Sequence, residues 1–257
     1  MHKRLFMVLV FLLTAACFTI PLQAQDEQAG TAAEVIMITA NPGEGAALEA
    51  AIRDYHYWVA DKPGAFRYNW YAILSGSNTG KYIARSGNHN WSDFDEEFDW
   101  QEEADAKLAE MVMPHVKHMT RWYTEEMEDY AHWPEDFSDY THFQIEDWYI
   151  KPGKGAQFRE GLATIHGALS EAGYSQHFGF HSSVSGRHSN EVTLVLPMKG
   201  FAGFGDKDPS FASIVSEAMG GMDEFGAFMS EWSATFKAGE SFLLELLPEA
   251  SDYGDDE

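Results

Sequence analysis

One cysteine, Cys17, stands among 257 residues, and it lies inside the N-terminal apolar stretch. A chain cut after that stretch has none, which excludes disulfides, thiolate nucleophiles and cysteine-ligated zinc or iron–sulfur sites together. Core packing alone must hold the fold, and the roughly 230 remaining residues suffice for one large core or two smaller ones. Basic residues are also scarce, with 17 Lys and Arg against 41 Asp and Glu, a formal net charge of −24 and a pI near 4.6. Such a surface repels phosphate rather than releasing counterions from it, so nucleic acid is excluded as a partner. The common catalytic signatures are absent as well: no Gly-x-Ser-x-Gly elbow, His-Glu-x-x-His pair, phosphate loop or dinucleotide Gly-x-Gly-x-x-Gly occurs. Carboxylates are so abundant that pairing any two as acid and base is arbitrary.

What is present begins with an export signal. Residues 1–24 run from His2, Lys3 and Arg4 through an apolar stretch to Ala24, before a polar segment starting at Gln25. A basic front, a short apolar core and a small residue at the cut describe a secretory signal better than a membrane span. Cleavage after Ala24 predicts a secreted or periplasmic protein with no membrane attachment. The minor alternative is lipidation at Cys17, whose preceding leucine, Leu13, sits one position too far away. The mature charge rises to −26, and its carboxylates gather at 93–110, 125–139 and 249–257, where a solvated face is expected.

A repeat organises the rest. The segment 41–46, Asn-Pro-Gly-Glu-Gly-Ala, has a partner at 151–156, Lys-Pro-Gly-Lys-Gly-Ala. The offset of 110 also matches His56 with His166, Phe94 with Phe204, Met119 with Met229 and Trp122 with Trp232. Self-similarity at a fixed offset points to two copies of one domain. In each copy an apolar strand (34–40; 143–150) meets Pro-Gly, and a helix follows (45–60; 155–172). A strand, a Ser/Gly/Asn turn and another strand come next (66–74 and 81–86; 176–184 and 191–196), reading as a hairpin. A second helix ending near Trp122 and Trp232 and a last strand at 241–247 complete β-α-β-β-α-β, the ferredoxin-like order. The expected organisation is therefore α+β: a signal at 1–24, copies at 33–124 and 141–248, an acidic, aromatic linker at 125–140 able to lend copy one its fourth strand, and a disordered acidic tail at 249–257.

The stretch 147–158, Asp-Trp-Tyr-Ile-Lys-Pro-Gly-Lys-Gly-Ala-Gln-Phe, a strand closing in Lys-Pro-Gly-Lys with a helix behind it, resembles the opening of NIPSNAP-like and antibiotic-biosynthesis-monooxygenase-like domains. That resemblance implies the dimeric α+β barrel superfamily, in which two domains pair sheet to sheet and a tandem chain can do so within itself. It implies a monomer with a pseudo-dimeric barrel or a homo-oligomer. Its members range from cofactor-free oxygenases and haem degraders to proteins without known chemistry, so the resemblance implies a fold more than a reaction.

Histidines carry the candidate chemistry. Phe225, Phe228, Met229 and Trp232 fall on one helical face, and the offset places His115, His118, Met119 and Trp122 on the same face of copy one. Two imidazoles one turn apart either sit at an exposed edge, donate to backbone carbonyls, or line a pocket between helix and sheet with Trp70 and Trp122. The resemblance adds that haem degraders carry their iron ligand on this helix. His56 and His166 match across the repeat as structural residues or as titrating groups in a pocket. His177 and His181 share one strand face, toward solvent or a barrel lumen, and with His188 they form a weak metal candidate. Tryptophans at 58, 91, 148 and elsewhere read as core.

The leading expectation is a non-catalytic exported barrel that binds a small apolar or aromatic molecule or serves a structural role, with no cofactor. The enzyme alternative is an oxygenase-like or haem-handling protein in which His115 or His118 ligates iron, or an imidazole removes a substrate proton. A third reading is a protein-interaction module.

Overall fold

A computed structural model describes residues 30–205 and 207–251; the predicted signal, Cys17 and the end of the acidic tail lie outside them. The first half runs β1 (Ala32–Ala40), α1 (Gly45–Ala60), β2 (Asn69–Ile73), β3 (Tyr82–His89), α2 (Gln101–Lys107) and β4 (Val116–Glu126). The second runs β5 (His142–Ile150), α3 (Gly155–Glu171), β6 (Gly179–Ser185), β7 (Glu191–Met198), α4 (Phe211–Met219), α5 (Met222–Ser233) and β8 (Phe236–Leu246). Each first strand stops at Pro-Gly because proline presets the first corner of a tight turn and glycine takes the left-handed second. Gly43 and Gly153 have φ of 83° and 75°, and the turns close through Glu44 N to Asn41 O and Lys154 N to Lys151 O, both 3.0 Å.

The eight strands form one closed, antiparallel barrel in the order β1-β3-β2-β8-β5-β7-β6-β4. Its two seams are short: β2 meets β8 at Tyr71–Leu246 to Ile73–Leu244, and β4 meets β6 from Tyr123–Ser185 to Glu126–His181. Strand alternation sends one face inward and the other under helices. Val35, Tyr71, Trp122, Phe143, Phe242 and Leu244 pack inside, around a cavity of about 700 Å³. Outside, α1 covers the first half through Leu48 and Ile52. In the second half α3 and α5 build an aromatic layer in which Trp232 lies 5.6 Å from Trp148 and 5.7 Å from Phe158, ring to ring.

Two expectations change. The offset of 110 holds from β1 against β5 to α2 against α4, but the last strands, Val116–Glu126 and Phe236–Leu246, are 120 apart. The first half is ten residues shorter here and has no counterpart of α5, passing from α2 through a π-turn (Leu108–Val112) and a 3₁₀ turn (Met113–His115) straight into β4. His115, His118 and Trp122 therefore do not share a helical face. Trp122 is a lumenal strand residue whose counterpart is Phe242, not Trp232. The fourth strand accordingly comes from 116–126 rather than from the linker.

The linker is a strap rather than a spacer. Its 3₁₀ turn (Glu128–Tyr130) and the bridge of His132 to Phe178 lay it along β6, with Trp133 and Phe137 at the lumen. The start of the tail is seated too, since Ala250 is buried and the Ser251 hydroxyl accepts from Trp70 N at 2.8 Å. Among the described residues no helix is long and apolar enough to cross a membrane.

Candidate functional site

Where α5 fills the second half, the first half is hollow. A cavity of about 830 Å³ lies between the outer face of β1, β2 and β4 and the layer formed by α1, α2 and the segment 93–100. α1 turns Leu48, Ile52 and His56 inward at successive four-residue steps, so the stripe that seats the helix on the sheet also delivers a buried imidazole to the cavity. From the floor, Tyr68 just before β2 and Trp70 within it, with Met119, Arg121 and Tyr123 of β4, face the cavity. Phe66, Phe94, Phe98 and Trp100 complete aromatic walls. Phe94 joins the floor edge-on to Tyr123 at 5.3 Å, and Phe66 stacks on His89 at 4.1 Å.

The polar centre of the floor is Glu34, a buried carboxylate on β1. The Tyr68 hydroxyl donates to its Oε2, and Arg121 Nε lies 3.2 Å from its Oε1. Burial, with Glu34 next, pushes the Tyr68 hydroxyl far up, and the same two causes raise that of Tyr123, so both stay protonated donors. Both oxygens of Glu34 are thus already taken by its neighbours. The equivalent carboxyl position in the second half is Gln144, and the tyrosine opposite it becomes Phe178.

The sequence candidates divide cleanly. His56 and Trp70 meet on this cavity. His166 sits on α3, half-buried, its ring 6.2 Å from Phe178. His115 and His118 do not line the cavity: His115 Nδ1 pairs with Glu44 Oε2 at 3.1 Å, and His118 is exposed on β4. The three weak metal candidates are dispersed, with His177 stacked on His132 at 4.8 Å, His181 buried in the lumen and His188 exposed beside Tyr149. No cluster of three or more metal-ligating side chains occurs among the described residues. Glu34, Tyr68, Arg121 and Tyr123 were not singled out by sequence. The available signal is the pair of half-to-half differences at Glu34 and Tyr68, where the second copy has an amide, Gln144, and a phenyl ring, Phe178.

Haem needs an axial donor and cations for its two carboxylates. This cavity offers Arg121, already held by Glu34, while Asp93, Glu96, Asp99, Glu102 and Asp105 crowd its mouth. The His56 imidazole suits the axial place, but with Arg121 already paired and carboxylates around it the lining does not fit haem's own carboxylates, and the two histidines expected to ligate iron lie elsewhere.

No family profile matches the sequence, and no curated protein matches it either. Solved structures do match. A protein from Lactobacillus acidophilus NCFM, provisionally described as a monooxygenase, aligns with a TM-score of 0.52 at 8% identity, over 84% of this chain and 95% of its own. An anthrone oxidase-like protein aligns at 0.52 and 9% identity, over 86% and 92%. Chlorite dismutase from Candidatus Nitrospira defluvii, in complex with imidazole, aligns at 0.50 and 9% identity, over 86% and 92%. The chain shares its overall fold, a closed eight-stranded α+β barrel, with these proteins. At such identities the likeness carries architecture alone, so chemistry must be argued from the cavity.

Proposed function

We propose that this chain is an exported tandem α+β barrel, two ferredoxin-like copies paired within one polypeptide, whose first half is an oxygenase-like site for a neutral aromatic substrate. The observation that carries the reading is the meeting of His56 and Trp70 on an aromatic-walled cavity of about 830 Å³ that the second copy fills with its own side chains. Flat, mostly apolar walls of this size suit a molecule of two or three fused rings. The carboxylates at the mouth disfavour an anion. The fold shared with proteins named as monooxygenases supports this enzyme reading over non-catalytic binding.

The chemistry open to such a site needs no metal. The His56 imidazole accepts a proton from an acidified carbon of the bound substrate, the kind of transfer a positioned base accelerates by roughly 10²–10⁴-fold. The substrate carbon is left as a carbanion or enolate. Dioxygen then oxidises it: a CH₂ group and O₂ become C=O and water, two hydrogens leaving with one oxygen atom.

Anthrone, neutral and with one acidified CH₂, is the test substrate. Oxygen uptake matched by one anthraquinone formed, far above the buffer rate, and lost in His56→Ala with Trp70→Ala weakening it, is the expected result. No acceleration above buffer overturns the reaction. Binding seen by tryptophan fluorescence without uptake returns the protein to the non-catalytic class.

A further inference from the structure

The barrel interior, separate from the outer cavity, holds a set of unsatisfied groups. Along the inward faces of β2, β3, β4 and β6 lie Asn69, Arg85, Thr124 and His181, all lining the lumenal cavity of about 700 Å³. Asn69 Oδ1, Thr124 Oγ1 and His181 Nδ1 are buried without a hydrogen-bond partner, and the residues Thr124 and His181 are only 7% and 6% exposed. Buried polar atoms are nearly always paired in folded proteins, so three orphans around one cavity call for a missing partner.

Arg85 says what kind. Register pairs it with Asn69 on one side and Val35 on the other, in the middle of the barrel wall. Its guanidinium lies over Gly87, where an added Cβ would come within 2.4 Å of Nη1. No carboxylate is within ion-pairing distance of it among the described residues. Glu126 acts on it through space, but Glu126 Oε1 already accepts from Trp133 Nε1. Arg187, the other lumenal guanidinium, is compensated by Asp147 at 3.1 Å and Glu191 at 2.9 Å. A half-buried guanidinium with no carboxylate in ion-pairing distance is poorly compensated, and a ligand anion makes up the difference. Burial first, with Arg85 second, holds His181 in its neutral form, able to offer one N–H donor. The rest of the lining combines apolar and aromatic residues, Tyr71, Trp122, Phe143 and Phe242, with the carboxylates of Glu126, Glu135, Asp136 and Asp147, of which Asp147 is paired with Arg187 and Glu126 accepts from Trp133.

We propose that the lumen is a second binding site, for a carboxylate carried on an aromatic or apolar body, with the carboxylate paired to Arg85 and hydrogen-bonded by Thr124 and His181. The body lies against Trp122 and Phe143. The strap closes over it, because Trp133 lies against His181, ring centroids 5.9 Å apart, and lines the same cavity. This site stands apart from the outer cavity and does not depend on what that cavity does.

The test is a fluorescence and calorimetric titration of the full mature chain with 1-naphthoate and with its neutral counterpart 1-naphthalenemethanol. Naphthoate is expected to bind at least tenfold tighter than the alcohol, and Arg85→Met to abolish that preference. Thr124→Val, a smaller change checked for native circular dichroism, should weaken naphthoate several-fold and serves if the arginine variant does not fold. His56→Ala and Trp70→Ala should leave naphthoate binding unchanged. Equal affinity for the two probes, no binding of naphthoate, or loss of binding in the outer-cavity variants overturns the proposal.

Discussion

The indole of Trp133 occupies the space where a side chain on Gly179 would begin: a Cβ at residue 179 would fall 1.8 Å from the ring. The strap is therefore keyed into β6, and the same ring donates to Glu126 on the neighbouring strand. One residue of the linker thereby bridges the β4–β6 seam where the two halves meet.

Gly179→Ala is accordingly expected to lift Trp133 off the barrel. A core forced to accept an extra methyl typically loses about 1–3 kcal/mol. Here part of that cost is relieved by outward movement of the strap. The measurement is denaturant unfolding together with tryptophan emission, which should shift to the red as the indole gains water. Unchanged emission and stability would show that the strap does not need this seat.

The Asp147–Arg187–Glu191 cluster gives the fold a pH dependence. One guanidinium serves two buried carboxylates, and Glu191 Oε2 has no hydrogen bond. Burial outweighs Arg187, and Asp147 adds repulsion, so Glu191 is pushed up from 4.5 to about 7. A carboxyl raised in the folded state binds more protons there than in the unfolded chain between those values. Its contribution is fully present below pH 4.5, declines as pH rises to about 7, and is flat above. Glu191→Gln should remove this decline, on the order of 2 kcal/mol, from unfolding curves measured across that window. A wild-type curve that instead rises through the window would reverse the sign assigned to Glu191.

The Glu34 carboxylate of the outer cavity is held by Tyr68 and by two donors on β4, and its loss should be local. Tyr68→Phe removes one hydrogen bond and is expected to cost about 1 kcal/mol, whereas Glu34→Leu strands Arg121 and both tyrosine hydroxyls beside apolar carbon and should cost about 3 kcal/mol. Chemical unfolding of the two variants checks the ranking. A Glu34→Leu protein as stable as Tyr68→Phe would mean that water reaches Arg121 and replaces the ion pair.

Much of the architecture was legible because it rests on local chemistry. The Pro-Gly turns, the apolar strands before them and the Ser/Gly/Asn hairpins each have a sequence cause, and they placed six of the eight strands. The misreading arose where the repeat loses ten residues: a fixed offset carried the helical face of Phe225, Phe228 and Trp232 onto His115, His118 and Trp122, which stand in a turn and a strand. Alternation could not correct this, since Val116 to Arg121 hold few buried side chains and so show no period of two. His56 and Trp70 were visible as a matched histidine and an aromatic strand residue. Arg85, Glu34 and Arg121 were not, because single charges in strands look like solvent-facing residues until barrel closure decides which way they point.

That same missing helix explains the hollow of the first half, and it can be tested in reverse. Trp232 is buried between Trp148, Phe158 and Phe236, and its Nε1 donates to Phe158 O at 3.0 Å. Gly161 gives it room, since a Cβ there would meet its ring at 2.0 Å. Trp232→Ala should therefore open in the second half a cavity like that of the first, at a cost of about 3–5 kcal/mol. If the void stays open and dry, indole added from solution should bind it and restore part of the lost stability, raising the melting temperature of the variant but not of the parent. Destabilisation without rescue by indole would mean that α5 collapses onto the sheet, and that the hollow of the first half depends on its shorter connection from α2 to β4 rather than on the absence of one large side chain.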